Sequence, residues 1–407
     1  MSLMPKLFQI NVAANWGSHG RIAEGIGQTA MAQGWESYIA YGRYFNPSQS
    51  HLIKVGDLFD QCLHGAQSLL FDRHGLGSYW ATKKLIKQMD ELKPDIIHLH
   101  NIHGFYLNYP LLFDYLSTLD TPVVWTLHDC WPFTGHCAQP IYAHCDRWQE
   151  QCYNCPLQRK GYPKSYLLGS CKSNFKHKCR IFHSVKNLHL VTVSHWLEQQ
   201  TRQSFLQDVD IRTIYNGLDT DVFHPTGLPA SLTDEQAAPL VLGVANVWYD
   251  WKGLDDFASL RDLLPDEVEI MLVGVNEEQM HRLPEGITCI RRTDSVSQLA
   301  EIYSQADVYV NPSWAESFGM TTIEALACGA PSIVYDTTAC PELVNTQTGR
   351  VVPLGNAKAL AAAVTDLCNS PQRRSMREAC RQRVISLFDR HDKYEEYLSL
   401  YDSLLNK

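Results

Sequence analysis

Short apolar runs alternating with helical patterns recur in two series along the 407 residues. This alternation restricts the fold more than any other feature, because strands apolar on both faces need helices packed above and below them. The first series has runs at Leu7 to Val12, Tyr38 to Tyr41, Asp95 to His100, Pro122 to Leu127 and Leu190 to Val193. The second has runs at Leu240 to Val244, Val268 to Val273, Ile287 to Ile290, Val308 to Val310 and Ser332 to Tyr335. Between them, Asp221 to Pro239 carries Pro225, Gly227, Pro229 and Pro239 with little periodicity and reads as a linker. The expectation is an α/β protein of two doubly wound, Rossmann-like parallel-sheet domains, residues 1–220 and 221–385, facing a cleft where strand carboxyl ends and helix N-termini meet a ligand.

Composition narrows the function. At 45% apolar and 19% charged residues, the chain can bury a sizeable interior, which excludes disordered and fibrous classes. Forty-four acidic against 35 basic residues leave a net charge of −9, which argues against nucleic acid as a partner. No apolar stretch approaches the roughly 18–20 residues of a membrane span, and no basic segment followed by an apolar one opens the chain, so a cytoplasmic location is expected. The opening Met1-Ser2-Leu3 before Met4 reads as an expression remnant and is set aside. Thirteen cysteines in such a chain do not suggest a disulfide framework.

The most informative stretch is Glu316-Ser317-Phe318-Gly319-Met320-Thr321-Thr322-Ile323-Glu324, a loop feeding a helix after the strand at Val308 to Val310. Gly319 has no Cβ to hold a ligand off the backbone. The first amides of the helix, at Met320 and Thr321, favour an anion such as a diphosphate. Glu324 lies about one turn into the helix, where its carboxylate can accept two hydrogen bonds from a vicinal diol such as a ribose. Lys252, in Tyr249-Asp250-Trp251-Lys252-Gly253-Leu254, follows the first strand of the second series and can neutralise charge growing on a departing diphosphate.

These residues resemble the retaining glycosyltransferases of the family 4 type, group 1, which have the GT-B fold. Glu316 and Glu324 bracket Phe318-Gly319 as that family's signature does. The resemblance extends to Asn216-Gly217-Leu218-Asp219, Ala306-Asp307-Val308, Gly329-Ala330-Pro331 and Gly349 before Val351-Val352-Pro353. It implies transfer of a sugar from a nucleotide-diphosphate sugar to a hydroxyl acceptor, saccharide or lipid-linked saccharide, in polysaccharide or glycoconjugate biosynthesis, with no metal required for catalysis. It implies that Glu316 contacts the donor sugar, that Phe318, Gly319, Met320 and Thr321 contact sugar and phosphates, and that Glu324 takes the ribose and Lys252 the diphosphate. The first domain would bind acceptor, present Gly17, Gly20 and Arg21 to the cleft, and receive the C-terminal helix, residues 386–407. Many members carry an Arg shortly before the Lys; here Val244-Ala245-Asn246-Val247-Trp248 offers only Asn246, a neutral donor, with Arg21 as a second source of positive charge. Alternatives are a nucleotide-sugar 2-epimerase of similar architecture and a non-catalytic nucleotide-sugar-binding protein.

Other signals sort more locally. His128-Asp129 emerges at a strand's carboxyl end, and in the resembling family a His at this place contacts donor sugar or acceptor. It is expected to orient a ligand. His98 and His100 share a strand face but lack an obvious third metal ligand and read as structural. Asp219-Thr220-Asp221 follows Asn216-Gly217 and reads as a turn. The glycines from Gly17 to Gly27 do not have dinucleotide-fold spacing. Cys137, Cys145, Cys152 and Cys155 have spacing compatible with a structural zinc. From Leu157 to Leu190, eight basic residues and four interleaved aromatics occur without an acidic one, a pattern compatible with peripheral contact at an anionic membrane.

Overall fold

A computed structural model describes residues 4–234 and 236–406; Met1-Ser2-Leu3 lies outside the described residues. The chain forms two units, Met1–Tyr215 with His391–Lys407, and Asn216–Arg390.

The first unit is built on β1 (Lys6–Ala14), β2 (Glu36–Phe45), β3 (His51–Lys54), β4 (Ile96–Leu99), β5 (Val123–Leu127), β6 (Leu188–Thr192) and β7 (Asp210–Thr213). All neighbours run parallel, in the order β3-β2-β1-β4-β5-β6-β7. Every residue of β4 and β5 is buried, as continuous apolar runs require. The helix Arg390–Leu405 returns to this unit: Tyr394, Tyr397, Leu398 and Tyr401 join Leu7, Ile22, Ile26, Ile96 and Val124 in one core. Polar contacts within that core fix the seat, with Tyr401 OH 2.6 Å from His98 Nδ1 and Tyr397 OH 3.1 Å from Thr126 Oγ1.

The second unit holds β8 (Leu240–Val244), β9 (Glu269–Val273), β10 (Ile287–Ile290), β11 (Val308–Asn311), β12 (Ser332–Tyr335) and β13 (Gly349–Val352). These are also parallel, ordered β10-β9-β8-β11-β12-β13. Its core is made by Val241, Phe257, Leu260, Leu272, Val308, Val310, Ile333 and Val364. In both sheets the first strand in sequence pairs with the second on one side and with the strand that resumes the series on the other. The order therefore reverses between β1 and β4, and again between β8 and β11, the places where open α/β sheets bind ligands.

Three strands are not marked by apolar runs. β3 and β7 are edge strands in which every residue but Ile211 is partly or fully exposed. The segment from Gly349 is the edge strand β13; a Cβ at Gly349 would lie 1.8 Å from Ser332 O, so glycine is what lets this strand approach β12. The basic stretch contains the helix Cys171–Phe182, which turns Phe175, Lys178 and Phe182 inward and leaves Lys172, Lys176 and Arg180 exposed. Among the described residues, no helix is long and apolar enough to cross a membrane.

Candidate active site

In the second unit the loops that follow β8 and β11 flank the point where strand order reverses, and a glycine joins them. Gly253 has φ +74°, and a Cβ there would sit 2.1 Å from Pro312 O. Trp314 N–H donates to Trp251 O at 2.8 Å. Asp256, at the start of the helix Leu254–Leu263, accepts from Trp314 Nε1 at 3.2 Å and Tyr335 OH at 2.9 Å. Burial raises the Asp256 carboxyl despite these donors. With the loops so fastened, Lys252 Nζ meets Glu316 Oε1 at 2.5 Å, their side chains 25% and 12% exposed. Ser313 Oγ donates to the same carboxylate oxygen at 3.1 Å, and Thr338 Oγ1 accepts from Glu316 N–H at 3.0 Å.

Gly319, at φ +110°, is the N-cap of the helix Met320–Ala327 and provides no side-chain cap. The amides of Met320 and Thr321 therefore have no intrahelical acceptor, since the first turn of any helix lacks one. Both residues are partly exposed, while Gly319 is buried. Phe318 is also buried, its ring edge-on to Phe388 at 5.7 Å, so its side chain shapes the turn from the interior. Glu324 is partly exposed and accepts from the buried Tyr303 OH at 3.0 Å; burial, followed by the neighbouring carboxylate, pushes that phenol well above its usual range. Asn246 lies exposed in the bend after β8.

In the first unit, histidines collect beyond the carboxyl ends of β1, β4 and β5. Gln9 Nε2 donates to Ala23 O at 2.8 Å, so Gln9 Oε1 must accept from His100 Nε2–H at 3.0 Å. The remaining nitrogen of His100, Nδ1, then accepts from His128 Nε2–H at 3.3 Å. Burial first and the neighbouring imidazoles second hold both rings well below the usual histidine range, so both are neutral. The chain Ala23–Gln9–His100–His128 thus assigns the tautomer of His128 and leaves its Nδ1 as the acceptor. His128 is partly exposed, whereas His100 and Gln9 are buried. Asp129 Oδ2 pairs with His103 Nε2 at 2.9 Å; burial alone would raise this carboxyl, but His103 outweighs burial and lowers it. His19 is 6.0 Å from His128 between ring centroids and is lowered to about 4, chiefly by burial. Gly17, at φ +66°, opens the helix Gly17–Ala32, Gly20 packs against the Ala13 carbonyl, and Arg21 is exposed. The roles of Gln9, His100 and His103 were not evident from the sequence, although the His-x-His spacing placed two of the imidazoles on one strand face.

The zinc expected from Cys137, Cys145, Cys152 and Cys155 is not supported. The four thiols and Cys171 line one small cavity of about 10 Å³, yet among the described residues no group of three or more His, Cys, Asp or Glu side chains is placed to hold a metal ion. Three of the sulfurs are engaged otherwise: Cys137 hydrogen-bonds to Cys155, and Cys152 Sγ accepts from Gly135 N–H at 3.2 Å. The Cys137 contact lowers Cys155 to about 6 and raises Cys137. All four are free cysteines.

Two parallel-sheet units, each with its order reversal and with a cation, a carboxylate and an uncapped helix start at one of them, define the GT-B class of glycosyltransferase. The sequence profile of Glycosyltransferase Family 4 matches residues 20–222, and that of Glycosyl transferases group 1 matches residues 238–370. The chain belongs to this family. The Escherichia coli K12 protein WcaC, a glycosyl transferase assigned to colanic acid biosynthesis, is 24% identical over 364 residues, covering 85% of this chain and 87% of that one. Among solved structures, sucrose-phosphate synthase of Thermosynechococcus elongatus superposes with a TM-score of 0.73 at 19% identity, covering 99% of both chains. HepE of Anabaena, in complex with UDP and glucose, superposes with a TM-score of 0.64 at 15% identity, covering 98% of this chain and all of that one.

Proposed function

We propose that this glycosyltransferase takes a nucleotide-diphosphate sugar in its second unit and passes the sugar, with retained anomeric configuration, to a hydroxyl of a saccharide or lipid-linked saccharide held by its first unit. The observation that carries the reading is the Lys252–Glu316 pair beside the uncapped helix start at Met320, both at the order reversal of one sheet. An ammonium and two unpaired amides form a cradle for pyrophosphate, and the UDP and glucose held by HepE are ligands of this chemistry. Glu316, tied to Lys252, addresses the sugar, and Glu324, steadied by Tyr303, takes the ribose diol.

In the transfer step the bond from the anomeric carbon to the diphosphate oxygen breaks, and the acceptor oxygen bonds to the same face. The acceptor proton passes to the leaving phosphate. Lys252 and the Met320 and Thr321 amides stabilise the charge that grows there, which is where preorganised donors lower a barrier. Neutral His128, its Nδ1 free to accept, orients a sugar hydroxyl. Peripheral membrane contact fits the exposed apolar side chains Leu58, Phe59, Trp80, Leu167 and Leu168 and the exposed Lys164 and Lys172, and flotation with anionic vesicles at low salt tests it.

The test is a thermal-shift series with UDP, GDP and ADP. One nucleotide should raise the melting temperature of the wild type, and far less that of a Glu324→Ala variant, because a ligand bound only by the native state stabilises it. No shift with any nucleotide at millimolar concentration would defeat the reading.

A further inference from the structure

At the carboxyl edge of the first unit's sheet, two aromatic side chains stand in solvent although the chain around them is braced. Trp16, directly after β1, is 42% exposed, and Tyr44, near the end of β2, is 50% exposed. Their ring centroids are 5.8 Å apart with planes inclined by 30°. The Arg43 guanidinium continues the surface, 5.1 Å from the Tyr44 centroid and 5.9 Å from that of Phe105.

Local structure presents this surface. The β1–β2 register shifts between Asn11 and Ala13, so that Gly42 and Arg43 together face Val12. Such a bulge re-aims the side chains that follow it. Only glycine fits at 42, because a Cβ there would lie 2.2 Å from Tyr106 Cγ. On the other strand, Asn15 takes φ +49° and is clamped on both sides: its Nδ2 donates to Pro47 O at 2.7 Å, and Asn46 Nδ2 donates to Asn15 O at 2.8 Å. A third bond, Asn46 N–H to Ala14 O at 3.0 Å, ties the same two segments. Trp16 is thus held in place by neighbours that do not cover it. An ordered tryptophan left in water forgoes the stabilisation its burial would supply, so a ligand is the natural reason for it.

We propose that Trp16 and Tyr44 form a stacking shelf for a pyranose ring of the acceptor, with Arg43 donating to its hydroxyls. Resting on the reading above, this gives the acceptor class as a saccharide with at least one ring beyond a bare alcohol. A sugar presents an apolar C–H face to an aromatic plane and hydroxyls at its rim, which matches two rings flanked by a five-donor guanidinium. The place also suits it: Trp16 follows β1 and Tyr44 lies near the end of the neighbouring β2, at the end of the sheet where α/β proteins receive ligands.

The experiment uses the full chain, the nucleotide sugar selected by thermal shift, and octyl glycosides of glucose, galactose, mannose and N-acetylglucosamine as acceptor probes. Nucleotide release without acceptor is measured in parallel. Trp16→Ala and Tyr44→Ala should each raise the acceptor KM about tenfold, with donor KM and acceptor-free hydrolysis within twofold of wild type, and Trp16→Phe should restore most of the loss. An unchanged acceptor KM in Trp16→Ala overturns the shelf, as does an effect confined to donor KM. A wild type that hydrolyses donor but uses no glycoside also overturns it. Failure of the wild type to release nucleotide from any donor would instead count against the glycosyl-transfer reading itself.

Discussion

Gly253→Ala tests whether the junction between the β8 and β11 loops is what brings Lys252 to Glu316. The residue sits at φ +74°, and an added Cβ would lie 2.1 Å from Pro312 O. A side chain in the left-handed region costs about 1–2 kcal/mol. An ordinary carbon–oxygen contact needs roughly 3.3 Å, so the two loops must also part by about 1 Å. A misplacement of about 1 Å at a reacting centre lowers turnover on the order of 100-fold, equivalent to about 2.7 kcal/mol of barrier. Stability should fall by about 2–3 kcal/mol, a drop of roughly 4–12 °C in melting temperature for a unit of this size. The assay is acceptor-independent nucleotide release beside a thermal melt. Gly227→Ala is the control, since nothing lies within 4 Å of a Cβ at that position. A Gly253→Ala protein with turnover within threefold of wild type would refute the coupling of the two loops.

Replacing Lys252 by Ala should lower turnover by about 10²–10³ with the fold intact, the usual loss when one preorganised charge-stabilising group is removed; near-normal nucleotide release with an unchanged melt would contradict its assignment. Gln9→Leu frees His100 to take either tautomer and should reduce acceptor-dependent turnover about tenfold. ¹⁵N shifts of His128 should show the proton on Nε2 in the wild type, and a proton on Nδ1 would disprove the chain of bonds. Buried Lys178, bonded to Trp131 O and Thr134 O, is lowered by burial to about 7. Between that value and the ordinary lysine range the unfolded chain carries a proton the folded one lacks, so stability rises with pH by up to about 1.4 kcal/mol per unit, with no such rise below pH 7. Lys178→Met should flatten the pH 7–9 melting curve, and parallel curves for the two proteins would sink the argument.

Apolar runs were enough to find the interior strands, because burial on both faces favours apolar residues; β11 and β12 are examples, each with a single buried polar residue at one end, Asn311 and Ser332. Edge strands β3 and β7 escaped, since one exposed side lets Lys54 and Asp210 stand where a run would need Val or Ile. The Glu316 to Glu324 stretch was legible because its parts are close in sequence. Its support was not: Asp256, Tyr303 and Thr338 reach it through topology that no local window contains. Lys178 was lost in a basic run, yet its spacing from Phe175 and Phe182 follows the helical period and marks an inward face. The four cysteines show the opposite failure, where ligand-like spacing says nothing of how loop backbone and rotamers aim the sulfurs.

The seat of Tyr394, Tyr397 and Tyr401 under the first sheet has a consequence for biosynthesis. When β1 to β7 have left the ribosome, the groove destined for these three rings is still open, and the 175 residues from Asn216 to Arg390 must be translated before its filler appears. At about 5–20 residues per second that interval lasts roughly 10–35 seconds, during which His98 and Thr126 lack their phenolic partners. The half synthesised first is therefore the half completed last.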